Sequence, residues 1–286
     1  MKPIENESIY GAWLQAAQHL LGCAEARDYN VILEVSRPGA FDEHDRCLRD
    51  VVDRFLKGHQ KWPLDTVANT IFPLGLYRSF GLEGVFTKYP ETVFPKIRLK
   101  NNGTDWGRYA YRLVRVEAGD RSVVIDSGTG EPVNPLKKIV DKLRNYDNNP
   151  KRAIYEAGLI DPLLEIPIYR PLQDRCYTMG GPCLSHLSFK VMPDKRLALT
   201  AFYRSHFYVE RALGNLLGLS WLLCSVAHET GFSVGSLTCI SSMAQLEPGS
   251  WSKHALKAML AECADIYEGA PAWGGSPKWI REASTG

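Results

Sequence analysis

A chain of 286 residues, 45% hydrophobic and 23% charged, can bury a large core, which excludes wholesale disorder. A formal net charge of +2 excludes a general polyanion-binding surface and leaves room only for local basic sites. Seven widely spaced cysteines, with no CxxC pair and no Cys/His cluster at zinc-like spacing, predict reduced thiols, no bound metal and a cytoplasmic setting.

In chain order, the opening MKPIENESIYGAW lacks the apolar run of a signal peptide. Residues 8–26 have helical spacing, and 29–41 read as a strand ending in a turn at Pro38-Gly39. Residues 42–58 form an amphipathic pattern with Gly58 as a stop. A strand with a Gly-rich turn is predicted over 122–134, then a helix, a turn and a short strand over 135–157. CLSHLSFKV and RLALTAFYRSH alternate apolar and polar positions around MPDK, which predicts a strand–turn–strand pair. A long buried helix follows over 213–230. Its apolar run is about 15 residues, short of the ~20 that span a bilayer, so no membrane association is expected. A strand over 235–247, a surface helix over 250–267 and an irregular Gly/Pro-rich tail complete the chain. Alternating helices and strands predict a mixed α/β (α+β) class.

The Pro182-Cys183 pair sits directly before a predicted strand. A buried, inert thiol is the ordinary reading of a free cysteine. Its setting argues for more. Pro-Cys, a strand, a turn, a second strand ending in Arg204-Ser205, the Leu213-Gly214 helix start, the apolar helix and Gly235 follow in order. This succession resembles thymidylate synthase and its relatives, the pyrimidine-nucleotide hydroxymethylases. The likeness runs over about 135–250, with NPLKKIVDKLRNYDNNPKRAIYEAG resembling the family's helix, basic pair and strand.

The resemblance implies a single thymidylate-synthase-like domain over 1–286, a mixed sheet flanked by helices, and roles for particular residues. Cys183, as thiolate, would add to C6 of a pyrimidine and make C5 nucleophilic. Arg204 and Ser205 would hold the nucleotide phosphate, to which a guanidinium fork is matched. Lys151 and Arg152 would reach the partner's phosphate across a symmetric homodimer, though a solvated basic turn accounts for them equally well. Glu210, four residues before Gly214, would help hold pteridine and base; its alternative is an ion pair with Arg211. The implied one-carbon donor is 5,10-methylenetetrahydrofolate.

Several positions depart from the family pattern. Leu184 follows the cysteine where the family has histidine, and His186 is either a displaced relative or a strand residue. The base-reading position falls on Gly218, which has no side chain to read with, and Asn215 is its nearest substitute. The sugar-binding pair falls on Gln245 and Glu247. The catalytic glutamate falls on Asn69, whose amide is no acid or base. In TDWGRYAYRL, Trp106 replaces a tyrosine that assists proton removal, and the C-terminal folate lid has no counterpart in PKWIREASTG. The expected activity is one-carbon transfer to C5 of a pyrimidine nucleoside monophosphate, giving a hydroxymethyl or methyl product, with dUMP a poor ligand. The alternatives are a folate-independent or catalytically silent nucleotide-binding protein of the same fold, and an unrelated α/β protein.

Overall fold

The computed structural model describes residues 3–100, 108–146, 165–170, 174, 181–247 and 250–269. These residues form an α/β structure around a seven-stranded mixed sheet flanked by helices. The strands are β1 (Ile4–Asn6), β2 (Arg27–Val35), β3 (Glu165–Pro167), β4 (Leu184–Val191), β5 (Arg196–Tyr203), β6 (His206–Phe207) and β7 (Ser233–Gln245). Their order is β1-β2-β7-β5-β4-β3, and the short β6 also pairs with β7.

The predicted strand pair is β4 and β5. They run antiparallel, with Phe189 opposite Leu199, and the Met192–Lys195 turn closes with Lys195 N–H on the Met192 carbonyl at 3.0 Å. Period-two alternation sends Leu197, Leu199, Ala201 and Tyr203 into the core, all fully buried. β7 lies at the centre, antiparallel to β2 and parallel to β5. The link from β5 to β7 is therefore a crossover, and it carries the long helix α8 (Leu213–Thr230). That helix is apolar on nearly every face because it is buried on nearly every face. Gly231 ends it in a left-handed conformation, φ 75°, that a side chain would strain.

Helices α1 (Ile9–Gly22) and α2 (Glu43–Gly58) cover the β2 side, their first turns capped by Ser8 and by a reciprocal Asp42/Asp45 box. The helix predicted over 250–267 is α9 (Lys253–Glu268), which packs on α1 and α2. Between 59 and 121, where patterning predicts no element, the chain forms α3 (Leu64–Asn69), α4 (Leu74–Glu83), a π-helical stretch (Gly84–Val93), α5 (Phe94–Lys100) and α6 (Tyr109–Val114). α7 (Pro135–Arg144) starts on an Asn134 cap, where the pattern predicts a helix, and the short strand predicted near 157 lies outside the described residues. The strand predicted over 122–134 is reduced to isolated bridges, Glu117 with Val123 and Ile125 with Pro132. Val123 and Ile125 are exposed there, so the apolar run has no core face to cover it.

One contact sets the site's geometry. α3 lies directly on α8, where an added Cβ at Gly214 would meet Val67 Cβ at 2.6 Å and one at Gly218 would meet the Ala68 carbonyl at 2.6 Å. The two glycines, four apart on one helix face, let the backbones approach this closely. Gly218 is a packing residue first, which explains why no base-reading side chain stands there. Among the described residues, no helix is long and apolar enough to cross a membrane.

Candidate functional site

Cys183 is the last residue before β4, half-buried. Its N–H donates to the Tyr109 hydroxyl at 3.0 Å, as does that of Leu184 at 3.2 Å. Its carbonyl accepts from Arg204 N–H at 2.9 Å across the β4–β5 ladder. The thiol is thus carried on backbone fixed from two sides, with Sγ 4.0 Å from the Gly181 carbonyl. Burial is the largest effect and leaves the thiol above its ordinary value, although the guanidinium groups of Arg204 and Arg211 oppose it.

Arg204 is exposed, donates to the Pro182 carbonyl at 2.6 Å and stacks its guanidinium 4.0 Å from the Tyr169 ring centroid. Stacking and one backbone bond hold the fork in place and leave other N–H groups for a ligand anion. Ser205 follows it in the bend before β6, half-buried. Arg211 lies over Trp62 at 4.6 Å, and Arg108 lies over the same ring at 5.4 Å. Arg204, Arg211 and Arg108 therefore supply positive charge on the Cys183 side of the molecule.

Glu210 is half-buried between cations. One oxygen meets Lys61 Nζ at 2.9 Å and the other meets Arg211 at 2.9 Å. The ion-pair alternative for Glu210 describes its present contacts.

Asn215 is buried on α8, its Nδ2 3.0 Å from His206 Nε2. An amide nitrogen only donates, so Nε2 accepts, and the proton sits on Nδ1 facing Ser241 Oγ at 3.0 Å. His206 stacks flat on Tyr203, centroids 4.0 Å apart, and complete burial lowers its pKa to about 3, so it stays neutral. One Asn215 amide N–H is committed to His206, which leaves the amide oxygen and the second N–H.

Gln245 ends β7, paired with Arg27 on one side and Phe207 on the other. Glu247 is buried, and its two oxygens accept the N–H groups of Val209 (3.1 Å) and Glu210 (2.7 Å). Those groups lie in the π-helical turn Tyr208–Ala212 that leads into α8, where backbone donors lack partners within the helix. Glu247 caps that helix from a distance, and its acceptors are spent on backbone. Burial raises its pKa to about 8 against the opposing effect of the two N–H bonds.

Asn69 sits exposed at the end of α3, donating to the Asp65 carbonyl at 2.8 Å, and lines a cavity that includes no residue of the Cys183 group. His186 is a β4 residue 3.1 Å from Glu165. Lys151, Arg152, Trp106 and the C-terminal tail lie outside the described residues. The sequence reading gives Tyr109 no role; it stands three residues beyond Trp106, and burial raises its pKa to about 12, so it stays protonated. Arg211 enters that reading only as an ion partner, and Lys61 and Trp62 not at all. All three act through chain segments whose proximity no local pattern reveals. Among the described residues, one group has metal-ligand donor types and closeness: His19, Cys23 and Asp28, whose donor atoms lie within 4.8 Å of one another. His19 and Asp28 already form an ion pair at 2.7 Å, and none of the three belongs to the Cys183 group.

No family model matches the chain. Part of it resembles a thymidylate synthase. The chain is 36% identical over 72 residues, 25% of its length, to a protein of Methanococcoides burtonii named "Putative thymidylate synthase". The match spans a third of that protein's length. The relationship is thymidylate-synthase-like over that segment.

Proposed function

We propose that the chain is a thymidylate-synthase-like enzyme that transfers a one-carbon unit to C5 of a pyrimidine nucleoside monophosphate. The observation that carries this reading is the Cys183 thiol, pinned by Tyr109 and the Arg204 backbone and acted on by the Arg204 and Arg211 guanidiniums. Arg204, with Ser205 beside it, binds the phosphate. The Cys183 thiolate forms a bond to C6, and the C5=C6 electron pair moves to C5 and the adjacent carbonyl as an enolate. C5 then attacks a one-carbon electrophile, loses its proton to base, and elimination of the thiolate restores the ring. Lys151 and Arg152 of a second subunit complete the phosphate site in a homodimer.

5,10-Methylenetetrahydrofolate is the one-carbon donor that the relationship suggests. The described residues do not yet fit it: Glu210, the pteridine partner in the resemblance, has both oxygens on cations, and Asn69 faces a different cavity. These two placements favour a second reading, a folate-independent or catalytically silent nucleotide-binding protein.

Intact-mass analysis after incubation with 5-fluoro-dUMP or 5-fluoro-CMP, with and without methylenetetrahydrofolate, separates the two. A folate-dependent ternary adduct supports the enzyme. Nucleotide binding with no folate dependence supports the second reading, and no binding at all removes both.

A further inference from the structure

Three side chains of different donor type meet at the C-terminal end of α1. His19 lies in the last turn of that helix, Cys23 ends it, and Asp28 is the second residue of β2. His19 Nε2 stands 2.7 Å from Asp28 Oδ2 and 3.5 Å from Cys23 Sγ, and the three donor atoms lie within 4.8 Å of one another. One ring nitrogen therefore faces both a sulfur and a carboxylate oxygen. The partners are held from behind. Cys23 Sγ donates to the His19 carbonyl at 3.4 Å, and its backbone N–H donates to the Leu20 carbonyl at 3.1 Å. The second Asp28 oxygen accepts the Tyr29 N–H at 2.7 Å, and the sheet places Asp28 opposite Ala244. Between Cys23 and Asp28 the chain turns through two left-handed non-glycine residues, Glu25 (φ 55°) and Ala26 (φ 49°). That costly conformation brings the start of β2 back against the end of α1. The His19 and Asp28 side chains are 38% and 31% exposed, so an ion reaches them from solvent.

We propose that His19, Cys23 and Asp28 form a binding site for a divalent transition-metal ion of the zinc type. A mixed nitrogen, sulfur and oxygen set suits zinc or cobalt, whereas magnesium and calcium take oxygen donors. Bonds of about 2.0 Å to nitrogen and about 2.3 Å to sulfur at a tetrahedral angle put those donors about 3.5 Å apart. His19 and Cys23 already have that separation. The carboxylate oxygen belongs about 3.4 Å from the nitrogen, so Asp28 Oδ2 has to move back about 0.7 Å from its present 2.7 Å hydrogen bond. The ion takes the place of the proton that joins Nε2 to Oδ2 and also displaces the thiol proton of Cys23, so both protons go to solvent on binding. Three protein ligands leave the fourth position to water. Cysteine and histidine spacing does not show this set, because its third donor is a carboxylate brought round by the turn. No residue of the Cys183 group takes part, so the site stands or falls independently of the chemistry proposed there.

Cobalt(II) titration of the full chain, reduced and stripped of metal by dialysis against a chelator and then against buffer, tests the proposal by absorption. A thiolate-to-cobalt charge-transfer band and the visible bands of tetrahedral cobalt should rise together to one equivalent, and excess zinc should abolish both. Cys47 and Cys183 are the other accessible thiols among the described residues, so variants assign the site. Cys23→Ser should lose the charge-transfer band. His19→Ala and Asp28→Asn should each weaken cobalt binding at least tenfold. All three positions are at least partly exposed, and metal-free unfolding midpoints within a few degrees of wild type separate loss of a ligand from loss of the fold. Four results would overturn the proposal: no charge-transfer band in the wild type, a band that survives Cys23→Ser, bands that zinc does not displace, or cobalt affinity unchanged by His19→Ala or by Asp28→Asn.

Discussion

Two polar groupings flank the start of α8, and they are built on opposite plans. Around Cys183, the charges are exposed or half-exposed and partly uncommitted: Arg204 gives one bond to Pro182, and Arg211 and Arg108 share the Trp62 face. Beneath α8, the polar atoms are buried and committed: Glu247 to two backbone N–H groups, Asn215 to His206, and His206 to Ser241. The first grouping has donors to offer a ligand. The second holds the helix start that carries Glu210 and Arg211, so its residues act on the site by positioning it. Residue type alone does not separate the two, since a carboxylate belongs to each.

Breaking the first grouping should remove chemistry and spare the fold. Cys183→Ser should abolish covalent adduct formation with 5-fluoro nucleotides completely, leaving nucleotide affinity and the urea midpoint nearly unchanged. Denaturant melts alongside mass spectra check both halves.

Breaking the second, or the packing of α8 on α3 beside it, should do the reverse. Gly218→Ala forces a methyl group to within 2.6 Å of the Ala68 carbonyl and 2.9 Å of Ile71 Cβ. Overpacking of this kind typically costs 1–3 kcal/mol, roughly, and should lower the urea midpoint in equilibrium unfolding. Glu247→Ala leaves two buried N–H groups unpaired and should cost about 1–3 kcal/mol by the same measurement.

Glu247 also sharpens the comparison through pH. Its folded pKa is raised from 4.5 to about 8, so the folded state binds more protons than the unfolded state between those values. Stability should therefore fall as pH rises through that window. Glu247→Gln should flatten the fall, as read from unfolding midpoints at pH 5, 6, 7 and 8. The smallest effect is expected at Arg211. Removing its charge lets burial raise the Cys183 thiol further, so Arg211→Ala should slow iodoacetamide labelling of Cys183 severalfold at pH 8, with the difference narrowing only as pH passes the raised thiol pKa.

The same contrast explains what was legible in the sequence. β4, β5 and α8 were readable because burial imposes period two on LALTAFY and continuous apolarity on LGNLLGLSWLL. The Cys183–Arg204 pairing was readable because adjacent antiparallel strands fix its spacing. Tyr109 was not, because it sits on the short helix α6 beyond a π-helical stretch that breaks the usual periodicity, and Lys61 and Trp62 were not, because they stand in the irregular link between α2 and α3. Glu247 read as a sugar acceptor because nothing local shows that its carboxylate closes a helix start 37 residues away. VVI at 123–125 read as a strand because pattern cannot show that no sheet edge receives it.

The account's central claim is that Cys183 adds to C6 of a bound pyrimidine nucleotide. Such addition makes the hydrogen on C5 exchangeable even with no one-carbon donor present. Proton NMR of UMP, CMP, dUMP and dCMP in deuterated buffer, with catalytic amounts of protein, follows the loss of the H5 signal directly. The account predicts enzyme-dependent loss of H5 from at least one of the four, faster for a ribonucleotide than for dUMP, and none with Cys183→Ser. Equal exchange by wild type and Cys183→Ser, or no exchange from any of the four, would contradict it.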